Sequence, residues 1–168
     1  LQRRTQKEYD FGGFGFDVKL CNVPMMLFDG QWVPDVNYNE LERAVALALA
    51  LSPCVLTGRQ VHFMRRHLGL TLEEVAQKLG VTRQAACKWE AAGATPTKMT
   101  YAVEKLFRLM ALDALGAPGK IFKQAYEQAF APWAQLPRRA KATAPRPSVN
   151  LSKPLTSLTQ TLKQLQWA

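Results

Sequence analysis

Apolar positions change their spacing along this chain, and the changes mark its elements. Over residues 16–36, "FDVKLCNVPMMLFDGQWVPDV", Val18, Leu20 and the later Met and Phe positions look strand-like. Asp29-Gly30 is a good hairpin turn, and Pro24 and Pro34 point to edge strands or strand ends rather than a central ladder. The start, "LQRRTQKEYD", is polar and carries no apolar pattern. From Asn37 the pattern becomes helical. Asn37 with Glu40 makes a capping box, and "AVALALAL" at 44–51 is apolar nearly all round, so this helix should be buried or packed against a partner subunit. Ser52-Pro53 ends it.

From 57 to 116 start and stop signals come in close succession. Thr57 with Gln60 and Thr71 with Glu74 are T-x-x-E/Q capping boxes, and Gly69, Gly80, Gly93 and Gly116 stand where helices should end. The spacing predicts helices near 58–68, 72–79, 83–92 and 98–115. Their expected buried faces are Val61, Met64 and Leu68; then Val75, Ala76 and Leu79; then Ala86 and Trp89; then Val103, Leu106, Phe107 and Met110. A further helix is expected over about 118–132, carrying Phe122, Tyr126, Ala129 and Phe130. "LPRRAKATAPRPSVNLSKP" is Pro-rich and basic, a linker by composition. Leu155, Leu158, Leu162 and Leu165 stand at helical intervals, which suits either a short docking helix or a disordered end. The expected fold is mainly α: a four- or five-helix bundle with a small N-terminal β-hairpin and an extra C-terminal helix. The expected divisions are 1–55 (hairpin plus helix), 56–116 (helical domain), 117–136 (C-terminal helix) and 137–168 (basic tail).

Charge sharpens this picture. Residues 1–57 hold five Lys/Arg against seven Asp/Glu, 58–116 nine against five, and 117–168 eight against one. The positive charge sits with the helix cluster and everything after it, which suits a polyanionic partner. Cys21, Cys54 and Cys87 stand far apart with no CxxC, so neither a local Cys₄ zinc site nor a disulfide framework is expected, and a reducing compartment fits. His62 and His67 are five apart, off the i, i+4 spacing of a metal pair. No metal or cofactor is therefore expected. The glycines at 12, 13 and 15 lack the strand-before, helix-after setting of a dinucleotide fingerprint. No Ser/His/Asp, paired-carboxylate or phosphate-loop arrangement stands out, so no enzyme is expected. The start does not read as a signal peptide and the longest apolar run is too short for a membrane span, which points to the cytoplasm and to no membrane partner.

The stretch "LEEVAQKLGVTRQAACKWE" at 72–90 meets the requirements of a helix-turn-helix. Ala76 is the small residue that lets the second helix cross closely. Gly80 tolerates the turn, Val81 plugs the core, Thr82 is the N-cap, and Ala86 and Trp89 anchor the second helix. Arg83, Gln84, Cys87 and Lys88 are left to face outward. Gln can pair with adenine, and Arg or Lys with guanine, in the major groove.

"LTLEEVAQKLGVTRQAACKWEAAG", with "LTGRQVHFMRRHLGL" before it and "AVEKLFRLMAL" after it, resembles the Xre or lambda-repressor-like helix-turn-helix family over about residues 56–112. Within that family it is most similar to the C-terminal half of MqsA-type antitoxins and related regulators. The resemblance implies a dimeric, operator-binding transcriptional regulator, with double-stranded DNA as partner and a toxin protein as a second one. It places base contacts on Arg83, Gln84 and Lys88, and phosphate contacts on Thr71 and Thr82; Arg59 and Lys98 are added as further phosphate candidates. The chain departs from the family at Leu72, where many members have Gln, and in an N-terminal module without the paired cysteines that bind zinc.

Overall fold

The structure is a computed structural model that describes residues 2–129, 146–155, 161–162 and 165–167. The chain divides into two compact units, one of residues 1–48 with 146–168 and one of residues 49–145.

The first unit is built on a sheet larger than the expected hairpin. Its strands are β1 (Arg3–Phe11), β2 (Val18–Phe28), β3 (Gln31–Pro34), β4 (Pro147–Asn150) and β5 (Leu165–Trp167). β2 and β3 form the hairpin read at Asp29-Gly30. Both turn residues have positive φ, 46° and 76°, which is the backbone a type I′ turn demands.

β1 is a strand where only a polar start was expected. It pairs antiparallel with β2 from Arg3↔Met26 to Phe11↔Val18. It shows no apolar alternation because no residue of it is buried; Gln6, Tyr9 and Phe11 are half-buried and the rest exposed. The other edge of β2 is shared. β4 runs parallel to it along Lys19–Cys21 and β3 antiparallel along Met25–Phe28. Asn22, at φ 53°, and Pro24 lie between those two stretches. Pro24 is therefore not at an edge or an end of β2, contrary to expectation, but at a point where its missing N–H costs no ladder bond. Its carbonyl accepts from the Asp35 amide at 2.7 Å.

β4 and β5 correct the reading of the tail. Residues assigned to a linker by composition form a strand whose Pro147, Ser148 and Val149 are buried, with Pro147 at the strand's first position, where proline is tolerated. Leu165 begins a strand antiparallel to β4 instead of closing a helical leucine series. Arg146 lies 3.6 Å from Asp10 and 3.8 Å from Asp17, so this member of the basic tail is paired with carboxylates of the sheet unit. Arg138, Arg139, Lys141, Phe130 and Leu158 lie outside the described residues.

Six helices are described: α1 (Tyr38–Leu51), α2 (Gly58–His67), α3 (Leu72–Leu79), α4 (Arg83–Ala91), α5 (Tyr101–Ala114) and α6 (Gly119–Ala129). At the start of α1 the Asn37 carboxamide oxygen accepts from the Asn39 and Glu40 amides at 3.1 and 3.4 Å. Residues 44–50 are all buried. The other caps also fall where the sequence places them. Thr57 and Thr71 close full capping boxes, while Gly69, Gly80, Gly93 and Gly116 all have positive φ.

The buried face of α5 is rotated from expectation. Leu106 is 46% exposed, whereas Glu104, Arg108, Leu109 and Leu112 join Phe107 inside. Arg108 explains the rotation. Its guanidinium donates to the carbonyls of Leu49 (2.6 Å), Ser52 (2.7 Å) and Cys54, and to Glu104 Oε1 at 2.7 Å. The α1 C-terminus has no basic residue of its own, and this side chain satisfies carbonyls that a helix end leaves open. A charged pair buried to that extent is tolerated because its donors are used.

Candidate nucleic-acid interface

α3 and α4 are joined by a turn of three residues. The Gly80 amide donates back to the carbonyls of Ala76 and Gln77 from a left-handed conformation, φ 65° and ψ 34°, and the Val81 amide reaches Ala76 O at 2.9 Å. Ala76 is buried at the crossing and Val81 is half-buried. Thr82 then caps α4, its hydroxyl accepting from the Ala85 amide at 3.2 Å. Only Ala86 and Trp89 of α4 are buried. Arg83, Gln84, Cys87, Lys88 and Ala91 are exposed, and their spacing places them on one side of the helix.

What holds α4 at its angle was not legible from spacing. Glu90, on the last turn of α4, faces α2. Its Oε2 accepts from Arg65 Nη2 at 3.0 Å and lies 2.7 Å from His62 Nδ1, and its Oε1 accepts from Arg65 Nε. Arg65 spends its remaining nitrogen on the Leu70 carbonyl at 2.8 Å. The Arg65 and Glu90 side chains are only 11% and 13% exposed. Burial alone would raise the Glu90 carboxyl, but its bonds to Arg65 and His62 win and hold it below the usual carboxylate range. A second brace is steric. At Gly58, in the first turn of α2, a Cβ would lie 2.6 Å from both Gly93 N and Trp89 O, so only glycine lets the start of α2 touch the end of α4. The Gly58 and Arg59 amides donate to the Thr95 and Gly93 carbonyls at 3.3 and 2.9 Å. In the sequence, Glu90 reads only as a helix end and Gly58 only as the residue after a cap. Their partners lie 25 or more positions away, so no local signal could find them.

The exposed helix starts differ in charge. At the start of α3, Thr71 donates both its amide and its hydroxyl to Glu74 Oε2, at 2.7 and 2.8 Å. Those two bonds hold the Glu74 carboxyl below its usual range, and Glu73 adds a second carboxylate in the same turn. An incoming phosphate there would meet two negative charges and an occupied donor set. The first turn of α4 has no acidic residue and carries Arg83. Of the four phosphate candidates, Thr82 thus lies at a helix start suited to an anion. Arg59 and Lys98 are exposed cations on α2 and on the segment before α5. Thr71 is closed off by its own capping partner. Of the histidines, His62 is taken up by Glu90, and His67 stacks on Phe63 with ring centroids 6.2 Å apart. Among the described residues no group of three or more His, Cys, Asp or Glu side chains could hold a metal ion.

Comparison with known proteins agrees with this geometry over the same stretch. Residues 62–101 match the model of a helix-turn-helix family. That stretch is similar to a helix-turn-helix domain. The match runs from the second turn of α2 through α3, the turn and α4 to the start of α5, so it covers the braces at Arg65 and Glu90 as well as the exposed face of α4. The sheet unit lies outside it. No curated protein and no solved structure matches the chain. No described helix is long and apolar enough to cross a membrane.

Proposed function

We propose that the protein is a sequence-specific, double-stranded-DNA-binding transcriptional regulator. In this reading it acts as a dimeric repressor, of its own operon among its targets, and reads the major groove with α4. Arg83, Gln84 and Lys88 contact base edges. Thr82, Arg59 and Lys98 contact phosphates, and Thr71 is dropped from that set because Glu74 occupies it. The observation that carries the reading is the helix start of α4: exposed, free of acidic residues, and holding Arg83, Gln84 and Lys88 on one side of a helix fixed from behind by Arg65 and Glu90. Gln and Arg or Lys are the side chains whose donor geometry distinguishes adenine and guanine in the major groove. Two copies would read half-sites about 34 Å apart. Selecting bound duplexes from a random pool and footprinting the winners tests this. An inverted repeat with protected half-sites is expected, and a pool that yields no preferred sequence would overturn it.

A second reading, an antitoxin or adaptor whose main role is to hold a partner protein, is favoured by the separate sheet unit. Its eight Lys/Arg against seven Asp/Glu, over residues 1–48 and 146–168, leave it nearly neutral, which suits a protein surface better than a nucleic acid. Stable copurification with a small basic toxin encoded beside this gene would support it.

A further inference from the structure

The outer edge of β1 has a backbone pattern that complements itself. In an antiparallel pair, residues alternate between those that bond to the neighbour and those that point away. The Pro24 carbonyl turns to the β3 side, where it accepts from Asp35, so Val23 and Met25 face β1 and bond its Gln6 and Arg4. The Gln2 carbonyl likewise accepts from Leu27. Beyond Asn22 the phase reverses. The Cys21 carbonyl turns to the β4 side to accept from Leu151, so Leu20 and Val18 face β1 and bond Tyr9 and Phe11. The β1 residues left pointing outward are Arg3 and Thr5 on one side of the reversal and Glu8 and Asp10 on the other. β1 stands at the end of the strand order, with no further strand beside it among the described residues.

Those four positions are symmetric about the point between Gln6 and Lys7. We propose that two copies of the chain associate through this edge, β1 pairing antiparallel with β1 of the second copy. The pairing sets Arg3 against Asp10 and Thr5 against Glu8, so that every outward amide and carbonyl of these residues meets a partner. Charge supports the same occupant. The basic residues of β1, Arg3, Arg4 and Lys7, precede its acidic ones, Glu8 and Asp10. Antiparallel self-pairing therefore brings opposite charges together, whereas parallel pairing would align like with like. Arg3 and Asp10 each have an ion-pair partner in their own chain, yet remain 72% and 73% exposed, which leaves room for the cross-axis contact. The proposal deepens the reading of the protein as a dimeric regulator and rests on it for its purpose, though not for its geometry.

Sedimentation velocity of the full chain without DNA, over a concentration series, tests it. The wild type is expected to dimerise. Thr5→Pro removes an outward N–H and puts a ring at the edge while sparing the bonds to β2. It should weaken the dimer by about 30-fold or more, as losing two backbone bonds across the axis implies. Its melting temperature should stay near that of the wild type. Should Thr5→Pro not fold, Arg3→Asp should weaken the dimer and Arg3→Asp with Asp10→Arg should restore it. A monomeric wild type, or a dimer indifferent to both Thr5→Pro and the charge reversal, would overturn the proposal. A protein monomeric in solution that still protects two half-sites on DNA overturns the edge pairing and leaves the regulator reading standing. A dimer broken by Thr5→Pro that shows no preferred DNA sequence supports the edge pairing and removes the regulator reading.

Discussion

The starts of α3 and α4 share a threonine cap whose hydroxyl accepts from the third amide of the helix, at 3.2 Å in both, but their first turns differ in charge. α3 continues with Leu72, Glu73 and Glu74, and α4 with Arg83, Gln84 and Ala85. The two helices thus have equivalent mechanical beginnings and opposite electrostatic ones. The difference shows that a helix start becomes an anion site only when its own side chains leave it vacant. At α3 the carboxylates complete the cap and stabilise the helix. At α4 the same positive end is unneutralised and carries a cation and an amide forward.

The largest effect is expected from removing what aims α4 rather than what it presents. Glu90→Ala leaves Arg65 buried without its carboxylate and should cost about 3 kcal/mol or more of folding stability, read as a fall in urea midpoint. The acid limb tests the same contact. The Glu90 carboxyl is held below its unfolded value of about 4.5, so its contribution is fully present above that pH. It is lost as pH falls through the depressed folded value. Wild-type stability should therefore drop below about pH 4.5, and Glu90→Gln, already weaker at pH 7, should drop less over that range.

Making α4 resemble α3 comes next. Arg83→Glu should lower affinity for cognate DNA by about 2 kcal/mol or more, through a lost contact and a new repulsion, in electrophoretic shift titrations. The reverse change, Glu73→Lys, should not lower affinity for any DNA. If Glu73→Lys were as damaging as Arg83→Glu, the contrast between the two helix starts would be wrong.

The smallest effect lies in the caps. Thr71→Ala and Thr82→Ala should each cost about 1 kcal/mol of stability, measured by denaturant unfolding. Only Thr82→Ala should also weaken DNA binding, because the Thr71 donors are already spent on Glu74. Equal losses of affinity would return Thr71 to the phosphate-contacting set.

The helix-turn-helix was legible because its signals are local. A cap and its partner are three residues apart, and Gly69, Gly80, Gly93 and Gly116 mark turns by their own conformation. Arg83, Gln84 and Lys88 were found outward because two buried anchors, Ala86 and Trp89, fix the phase of α4. The sheet was legible only around the β2–β3 hairpin, from the strand-like apolar positions of β2 and, for the same reason of locality, from Asp29-Gly30. β1 has no buried residue to impose alternation, and β4 joins β2 from more than a hundred positions away, through a segment whose prolines and arginine read as linker. α5 was misphased because Glu104 and Arg108 look like surface charges until the carbonyls of Leu49, Ser52 and Cys54 are brought to them. The braces at Gly58 and Glu90 fail to show in the sequence on the same ground, since their meaning lies in distant backbone.

The central claim is that the outward side of α4 reads base sequence, and the most direct measurement is binding by Gln84→Ala and Lys88→Ala to the selected operator and to random duplex at one salt concentration. Each substitution should cost about 1–3 kcal/mol on the operator and much less on random DNA. Equal losses on both would contradict the claim, leaving α4 as a basic surface that holds phosphates without reading the bases between them.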